Sequence, residues 1–228
     1  MSILSDLYSL LVPRSCPVCG ERLSQGEDFI CLACSAQWPR LDIDDVADNA
    51  MVRRLWPHFA AVYGASLITY RHHSPFHQIL MRIKYQGGAA LAEAMGRWGA
   101  REFEASPLRE WADAVVPVPL SRWRRLRRGY NQAELISRGI AGEYGLPVAK
   151  LLRRAEGSTT QTRLSAEQRL ENVKGRITAH IPPQWRGKHL LLVDDVMTTG
   201  ATLTACAQAI LADDPQAQIS VFTIALAG

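Results

Sequence analysis

The residues best suited to chemistry lie in the segment HLLLVDDVMTTGAT, at positions 189–202. Its first part is a continuous apolar run, which is typical of a strand buried on both faces of a sheet. The turn after the strand consists of Met197, Thr198, Thr199, Gly200, Ala201 and Thr202. We expect this turn to open a helix, where unpaired N–H groups and the positive end of the helix dipole converge. Because Gly200 lets the backbone approach an anion closely, the pattern predicts a phosphate-binding loop.

Asp194 and Asp195 lie between the apolar run and this turn. Two neighbouring carboxylates can accept hydrogen bonds from a pair of vicinal hydroxyls. A ligand with a diol at one end and a phosphate at the other is a ribose 5-phosphate. The alternative is a strand end followed by an ordinary N-cap, which would explain one Asp and one Thr but not two of each in this order.

An arginine-rich segment follows a second apolar run, AVVPVP, at positions 114–119. One interpretation is an anion site, because the planar guanidinium contacts phosphates in a bidentate manner. A second is a surface for single-stranded nucleic acid, because Trp123 and Tyr130 add stacking area between the charges. A third is a solvated basic face. The arginines concerned are Arg122, Arg124, Arg125, Arg127 and Arg128.

Four cysteines have the spacing of a metal site, C-x2-C, eleven residues, then C-x2-C. Two such pairs supply the four tetrahedral thiolate ligands that zinc prefers, and they leave no open position for a catalytic water. The alternative is two disulfides, but without a signal peptide the compartment is reducing and zinc is favoured. The sequence therefore predicts a structural zinc ribbon with two knuckles and a short hairpin between them. The ligands would be Cys16, Cys19, Cys31 and Cys34.

The elements that must position these residues alternate between strand and helix patterns, which predicts an α/β fold with a mostly parallel sheet flanked by helices. Ligands in such sheets bind at the carboxyl ends of the strands. An acidic linker (41–55) follows the zinc module, and we place the domain boundary within it. Residues 1–50 would hold the N-terminal helix and the zinc module with the start of this linker, and residues 51–228 the α/β domain. Strands are predicted at 60–70, 114–119, 148–152, 189–193 and 219–227, and helices at 75–85, 89–103, 131–144 and 202–211.

Composition excludes several classes of protein. The chain has 228 residues, a formal charge of +4, 47% hydrophobic residues and 21% charged residues, which excludes extensive disorder and collagen-like repeats. No apolar run approaches the roughly 18 residues of a transmembrane helix. The segment MSILSDLYSLLV at 1–12 lacks a basic region and carries Asp6, so we expect a short packing helix rather than a signal peptide. The expected location is cytoplasmic.

The segment LLLVDDVMTTGAT resembles the signature of the type I phosphoribosyltransferases, which bind phosphoribosyl pyrophosphate (PRPP) with magnesium. The resemblance implies that Asp194 and Asp195 hold the ribose hydroxyls and that residues 198–202 hold the 5-phosphate, with Met197 also at the PRPP site. Mg²⁺ would be held mainly by PRPP itself. A pyrophosphate loop would be formed by Val118, Pro119 and Leu120, with Arg122 and Arg128 at its mouth. This assignment leaves Arg124, Arg125 and Arg127 as the candidates for nucleic-acid binding.

A second resemblance covers essentially the whole chain. VVPVPLSRWRRLRRGYNQAELIS, from Val115, is similar to the ComF family of competence-associated proteins and its enterobacterial relative GntX, and so is Ile83-Lys84-Tyr85. A four-cysteine ribbon before a phosphoribosyltransferase domain is the organisation of that family. Ile177 departs from the aromatic residue that is common there. Further matching residues are Gln161, Leu164, Arg169, Asn172, Val173 and Gly175.

Membership of that family implies a role in the uptake or handling of single-stranded DNA during natural transformation or DNA utilisation. The chain would transfer ribose 5-phosphate from PRPP to an unknown nitrogenous acceptor. The alternative is a non-catalytic protein that senses PRPP, binds DNA or acts as an adaptor for other DNA-uptake proteins.

Smaller signals concern the surroundings of the site. The polar segment 156–176 is long enough to be a lid, and the alternative is a solvated connector. Lys84 is a candidate to face the PRPP site, and Asn131 is either an orienting residue or an N-cap. His72, His73 and His77 are expected to be surface residues. The lid residues that could reach a leaving group are Gln161, Arg163, Arg169 and Lys174.

Overall fold

The computed structural model describes residues 14–41, 45–70, 74–85, 88–155 and 175–227. The predicted N-terminal helix at 1–12, part of the acidic linker, His72 and His73 lie outside the described residues. The same is true of the lid candidates Gln161, Arg163, Arg169 and Lys174.

Within the described residues, four parallel strands form one sheet in the order β1-β6-β5-β2, and two short strands, β3 and β4, pair antiparallel beside it. The predicted parallel sheet is confirmed. The strands are β1 (Ala61–Tyr70), β2 (Ala114–Pro117), β3 (Leu152–Arg154), β4 (Ile177–Ala179), β5 (His189–Met197) and β6 (Gln218–Ala227).

Two strand boundaries differ from the sequence prediction. β5 continues to Met197 because its pairing with β6 extends as far as Leu226, so the two aspartates lie inside the strand. The strand predicted at 148–152 is reduced to a bridge between Val148 and Val115. After Ala149 the chain leaves the sheet, and the next strand, β3, pairs with β4 instead.

Helices cover both faces of the sheet, as predicted. Alternate residues of β5 point to opposite faces, so Leu191 and Val193 belong to one buried cluster and Leu190 and Leu192 to the other. The helices are α1 (Leu32–Ala36), α2 (Ala50–Leu55), α3 (His77–Lys84), α4 (Ala89–Glu102), α5 (Pro107–Trp111), α6 (Arg122–Arg128), α7 (Gln132–Tyr144) and α8 (Ala201–Asp213).

The cysteine-containing segment packs against the first of these clusters. The ring of Trp38 contacts that of Trp98 on α4 edge to face, with centroids 4.8 Å apart, and that of Phe76 at 5.0 Å. The backbone N–H of Leu41 donates to the carbonyl of Leu67 on β1. Apolar packing and a backbone hydrogen bond thus join the segment to the sheet, while the division into two domains stays a prediction.

Close packing of α4 on α7 fixes the helical layer under the site. A Cβ added at Gly139 would lie 2.2 Å from the carbonyl oxygen of Glu93, and one added at Gly96 would lie 2.1 Å from that of Ile136. The two helix backbones are therefore in direct contact, and only glycine fits at the crossing. Gly142 lies on the same helix but has no atom within 4 Å of an added Cβ.

We predict opposite effects for two alanine substitutions on α7. Gly139→Ala forces the helices apart and should lower the free energy of unfolding by about 1–3 kcal/mol. Gly142→Ala should raise it by about 0.5–1 kcal/mol, because alanine is the better helix former. Urea denaturation measures both values, and equal effects of the two substitutions would contradict the close crossing.

Candidate functional site

The acidic pair lies at the carboxyl edge of the sheet. Asp194 is aligned with Thr223 of β6, and both aspartates are partly buried. The backbone N–H of Asp195 donates to Oδ1 of Asp194 at 2.8 Å, which fixes the first carboxyl group against the strand. The two side chains thus extend from a strand that is paired with β6 on one side and, as far as Val193, with β2 on the other.

Burial at this edge changes the protonation of the pair. It raises the pKa of Asp194 to about 8, and the neighbouring charge of Asp195 acts in the same direction. Lys84 acts in the opposite direction but does not compensate. The pair therefore favours a single negative charge at neutral pH, and it can offer one carboxylate acceptor and one protonated carboxyl group.

Lys84, at the end of α3, contacts this pair directly. Its Nζ lies 3.2 Å from Oδ2 of Asp195, with side-chain exposures of 24% and 15%. The structure thus brings Lys84 against the acidic pair.

The predicted phosphate loop forms a tight turn into α8. Gly200 is the residue before the helix and has φ 79°, a left-handed conformation that favours glycine. The hydroxyl of Thr199 accepts a hydrogen bond from the N–H of Ala201 at 3.4 Å. Met197 is buried beneath the turn, whereas Thr198 is exposed. As at any helix start, the amides of the first turn of α8, including those of Thr202 and Leu203, lack intrahelical acceptors and remain available to an anion.

Arg54 supports this loop and was missed by sequence reasoning. Its Nη1 donates to the carbonyl oxygens of Thr198 and Ala227, both at 2.8 Å. Because the carbonyl and N–H of a trans peptide point in opposite directions, holding the Thr198 carbonyl turns the Thr199 N–H away from Arg54. Arg54 lies 144 residues before Thr198, and no local pattern could have linked the two.

The end of β2 brings the second predicted loop to the same edge. The N–H of Val118 donates to the carbonyl of Val193, the residue before Asp194, at 2.9 Å. Asn131 holds this loop, since its Nδ2 donates to the carbonyl of Val118 at 2.9 Å while its Oδ1 accepts from the N–H of Ala133. Asn131 is therefore both the N-cap of α7 and a residue that orients the loop.

Beside this loop lies a basic cleft of about 390 Å³. Among the described residues that line it, the one carboxylate is Glu134, whose side chain is only 8% exposed and is bonded by Lys150, Arg138 and Arg125. These three cations together hold the pKa of Glu134 below its usual range despite burial. The cleft is lined by Pro117, Pro119, Leu120, Arg122, Arg125, Asn131, Glu134, Lys150, Leu152, Arg153 and Arg154.

The arginines of α6 lie on two sides of that helix. Arg122 and Arg125 line the cleft. Arg127 lies over the rings of Trp123 and Tyr85, at 5.3 and 5.5 Å from their centroids, and Arg128 lies 5.3 Å from that of Tyr85. We call the group Trp123, Arg127, Arg128 and Tyr85 the aromatic–arginine face.

This face is open to solvent. The Trp123 residue is 61% exposed, and Leu126 beside it is 86% exposed. Arg128, with Arg127, lowers the pKa of Tyr85. Arg124 lies nearer the cleft, where its charge adds to burial in lowering the pKa of Arg154.

The four N-terminal cysteines converge as a metal site requires. Their Sγ atoms all lie within 4.8 Å of one another, and those of Cys19 and Cys31 are 3.6 Å apart. A tetrahedron with Zn–S bonds of about 2.3 Å has S···S edges of about 3.8 Å, so the arrangement fits zinc. All four are free thiols, so the disulfide alternative is not adopted.

The two cysteine pairs differ in local structure. The first forms the predicted knuckle, with Gly20 at φ 82°. The second is not a knuckle, because Cys31 precedes α1 and Cys34 lies within it. Glu27 satisfies the first N–H of this helix, since its carboxylate accepts hydrogen bonds from the N–H groups of Ser24 and Leu32, both at 2.6 Å.

Across the described part of the chain, no helix combines the length and apolarity needed to cross a bilayer.

Comparison with known families agrees with this site. Residues 126–227 match the model of the phosphoribosyl transferase domain. The match contains β5, the acidic pair, the threonine turn and α8. It does not contain Arg54, Lys84, the loop after β2 or the four cysteines.

Several curated proteins are similar to the chain. Competence protein F of Haemophilus influenzae is 31% identical over 134 residues, which cover 57% of this chain and 58% of that protein. The DNA utilization protein YhgH of Salmonella typhi is 33% identical over 144 residues, 60% of this chain and 61% of that protein. The match thus spans about three fifths of each of these two relatives.

A third relative extends the match toward the N-terminus. Competence protein ComFC of Bacillus subtilis is 25% identical over 212 residues, which cover 92% of this chain and 76% of that protein. With the parallel sheet, the threonine turn and the four-cysteine cluster, these matches identify a type I phosphoribosyltransferase fold behind a cysteine module, and they make the chain similar to curated competence and DNA utilization proteins.

Proposed function

We propose that this chain binds magnesium-complexed PRPP at the carboxyl edge of the sheet. Asp194 and Asp195 would accept hydrogen bonds from the two ribose hydroxyls, and residues 198–202 would hold the 5-phosphate through backbone N–H groups and hydroxyls. The observation that carries the proposal is the placement of a partly buried carboxyl pair and a helix N-terminus on one strand-to-helix turn.

The leaving-group half of PRPP would lie toward β2. Val118, Pro119 and Leu120 would form the pyrophosphate loop, with Arg122 and Arg125 on the wall of the basic cleft. Arg128 lies on the other side of α6, against Tyr85, which favours the aromatic–arginine face for it. Mg²⁺ would be held by the hydroxyls and pyrophosphate of PRPP, so it belongs to the ligand.

This arrangement suits the transfer of ribose 5-phosphate to a nitrogenous acceptor. The bond between the anomeric carbon and the pyrophosphate oxygen breaks, and pyrophosphate leaves with the electron pair. A bond forms from the acceptor nitrogen to that carbon, and the nitrogen releases its proton. Pyrophosphate release during incubation with PRPP and purine or pyrimidine bases separates transfer from binding without catalysis.

Single-stranded DNA is the proposed second ligand, in line with the names of the relatives. The aromatic–arginine face combines an exposed indole with two guanidinium groups, which are the components of sequence-tolerant strand binding. Zinc is the proposed occupant of the four-cysteine cluster, where it would hold the module in shape.

We predict that Asp194→Ala abolishes PRPP binding and that Asp194→Asn stabilises the free protein. Because the pKa of Asp194 is raised in the folded state, the free energy of unfolding falls as pH rises from about 4 to about 8. A neutral amide avoids this cost, so the gain in Tm should grow across that range to about 3 °C or more at pH 8.

Calorimetry with Mg-PRPP and thermal melting from pH 4 to pH 9 measure the two effects. Asp28→Asn, which changes an exposed carboxylate paired with Arg101, should alter neither binding nor the pH dependence. Full binding by Asp194→Ala would contradict the proposed role.

We predict that the double substitution Trp123→Ala and Arg127→Ala weakens the binding of a single-stranded oligonucleotide by about tenfold or more, and reduces its salt dependence. Fluorescence anisotropy at several salt concentrations measures this. The matched control is Arg109→Ala with Trp111→Ala, an exposed pair on α5 before the opposite end of β2. If both double variants bind the strand equally well, the aromatic–arginine face is not the DNA site.

We predict about one zinc ion per chain and a lower Tm after its removal. Stripping the metal frees the four thiols and loosens the packing of Trp38 on Trp98, so tryptophan emission should shift to the red. Elemental analysis and melting with a chelator measure this. Cys19→Ser should lose the metal, whereas Cys206→Ala, at a buried position of α8, should keep it. A metal-free chain with unchanged Tm and emission would exclude the structural role.

A further inference from the structure

Lys84 reaches the acidic pair from outside the segment that matches the phosphoribosyl transferase domain. The match covers 126–227, whereas Lys84 ends α3, well before it. Its ammonium lies 3.2 Å from Oδ2 of Asp195. The acidic pair is therefore part of the matched domain, whereas the lysine that pairs with it comes from the chain before that domain.

The contacts of the two aspartates are asymmetric. Asp195 pairs with Lys84, whereas Asp194 accepts the backbone N–H of Asp195. On the side of Asp194, Arg154 of β3 and Cys206 of α8 lie within electrostatic range, and Thr223 of β6 is its neighbour in the sheet. Burial and the charge of Asp195 outweigh Lys84 in their effect on Asp194.

The backbone on either side of Lys84 is also held in place. Ile83 is fully buried, and its carbonyl accepts the hydroxyl of Tyr130 at 2.8 Å. Tyr85 accepts a hydrogen bond from Arg127 at 3.3 Å and lies under Arg128. Fixing a lysine side chain in one place costs conformational entropy. The contacts of Ile83 and Tyr85 fix the backbone that carries this side chain, so that part of the ordering is already in place.

We propose that Lys84 is a positioning residue for the sugar site: its ammonium holds the carboxyl group of Asp195 in place as the acceptor of one ribose hydroxyl, beside the Asp194 carboxyl group that is fixed by the N–H of Asp195. The inference rests on the proposed PRPP site and deepens it. One carboxylate accepts a hydroxyl proton, and the neutral carboxyl group can donate to a hydroxyl oxygen as well as accept. The diol would then be bound by complementary donors and acceptors rather than by two repelling anions.

The test compares three variants by calorimetry with Mg-PRPP between pH 5 and pH 9. Lys84→Met should weaken binding by about tenfold at pH 7, because Asp195 is no longer held in place, and should move the acidic fall in affinity to higher pH by about one unit, because the carboxyl pair loses a neighbouring cation. Lys84→Arg should restore both the affinity and the profile. The matched control is Lys188→Met, which removes a lysine paired with Asp113 at the amino end of β5, 3.0 Å away, and should change neither.

The outcomes separate this inference from the proposed function. If the wild-type protein does not bind Mg-PRPP, both fail. If it binds, and Lys84→Met binds with the same affinity and the same pH profile, only the role of Lys84 is wrong. A loss of affinity with an unshifted profile would indicate a purely structural ion pair and would also overturn it.

A measurement on the wild-type protein covers the case in which Lys84→Met does not fold. In protein labelled with ¹⁵N-lysine, the ammonium resonance of Lys84 should shift on addition of ribose 5-phosphate, because the sugar contacts its partner Asp195. That of Lys188 should not move. An unchanged Lys84 resonance at saturating ligand would contradict the proposal.

Discussion

The burial of two adjacent carboxyl groups at the edge of a parallel sheet is the constraint on which the site depends. Two anions side by side in a partly desolvated position repel each other, and the structure resolves this with one raised pKa and one ion pair. A ligand with two hydroxyls would give both carboxyl groups a hydrogen-bond partner. The free energy that their burial costs in the empty site would then favour ligands with a diol over ligands without one. The same trade between stability and binding is common where function needs strained electrostatics.

The parts that maintain this arrangement come from distant points in the chain. Arg54 on α2 fixes the Thr198 carbonyl, Lys84 on α3 pairs with Asp195, and Asn131 at the start of α7 holds the loop after β2. Each acts on a strand or on the turn or loop that follows it. The cysteine module reaches the helical layer through Trp38, which packs on α4. Ring packing therefore joins the cysteine module to the layer that lies beside the site.

Local patterns in the sequence predicted the centre of the site well. The apolar run, the two aspartates and the threonine turn lie within fourteen consecutive residues, and their order determines a strand, a turn and a helix. The parallel sheet with helices on both faces, the predicted helices and the convergence of the four cysteines also follow from short-range periodicity and spacing.

Features set by long-range contacts could not be predicted. The length of β5 depends on its pairing with β6, and the fate of 148–152 depends on the competing partner β4. The division of the arginines between two sides of α6 depends on Glu134, which bonds Arg125, and on Tyr85, which lies under Arg128. In each case the deciding partner lies outside the local pattern.

The central claim is that the carboxyl pair recognises a diol next to a bound phosphate. Comparing the affinities of ribose 5-phosphate and 2-deoxyribose 5-phosphate for the zinc-replete protein tests it most directly, because the two sugars differ by one hydroxyl. The account predicts that the deoxy sugar binds at least about tenfold more weakly, because the missing hydroxyl leaves one carboxyl group of the pair without a hydrogen-bond partner. Equal affinities for the two sugars would contradict it.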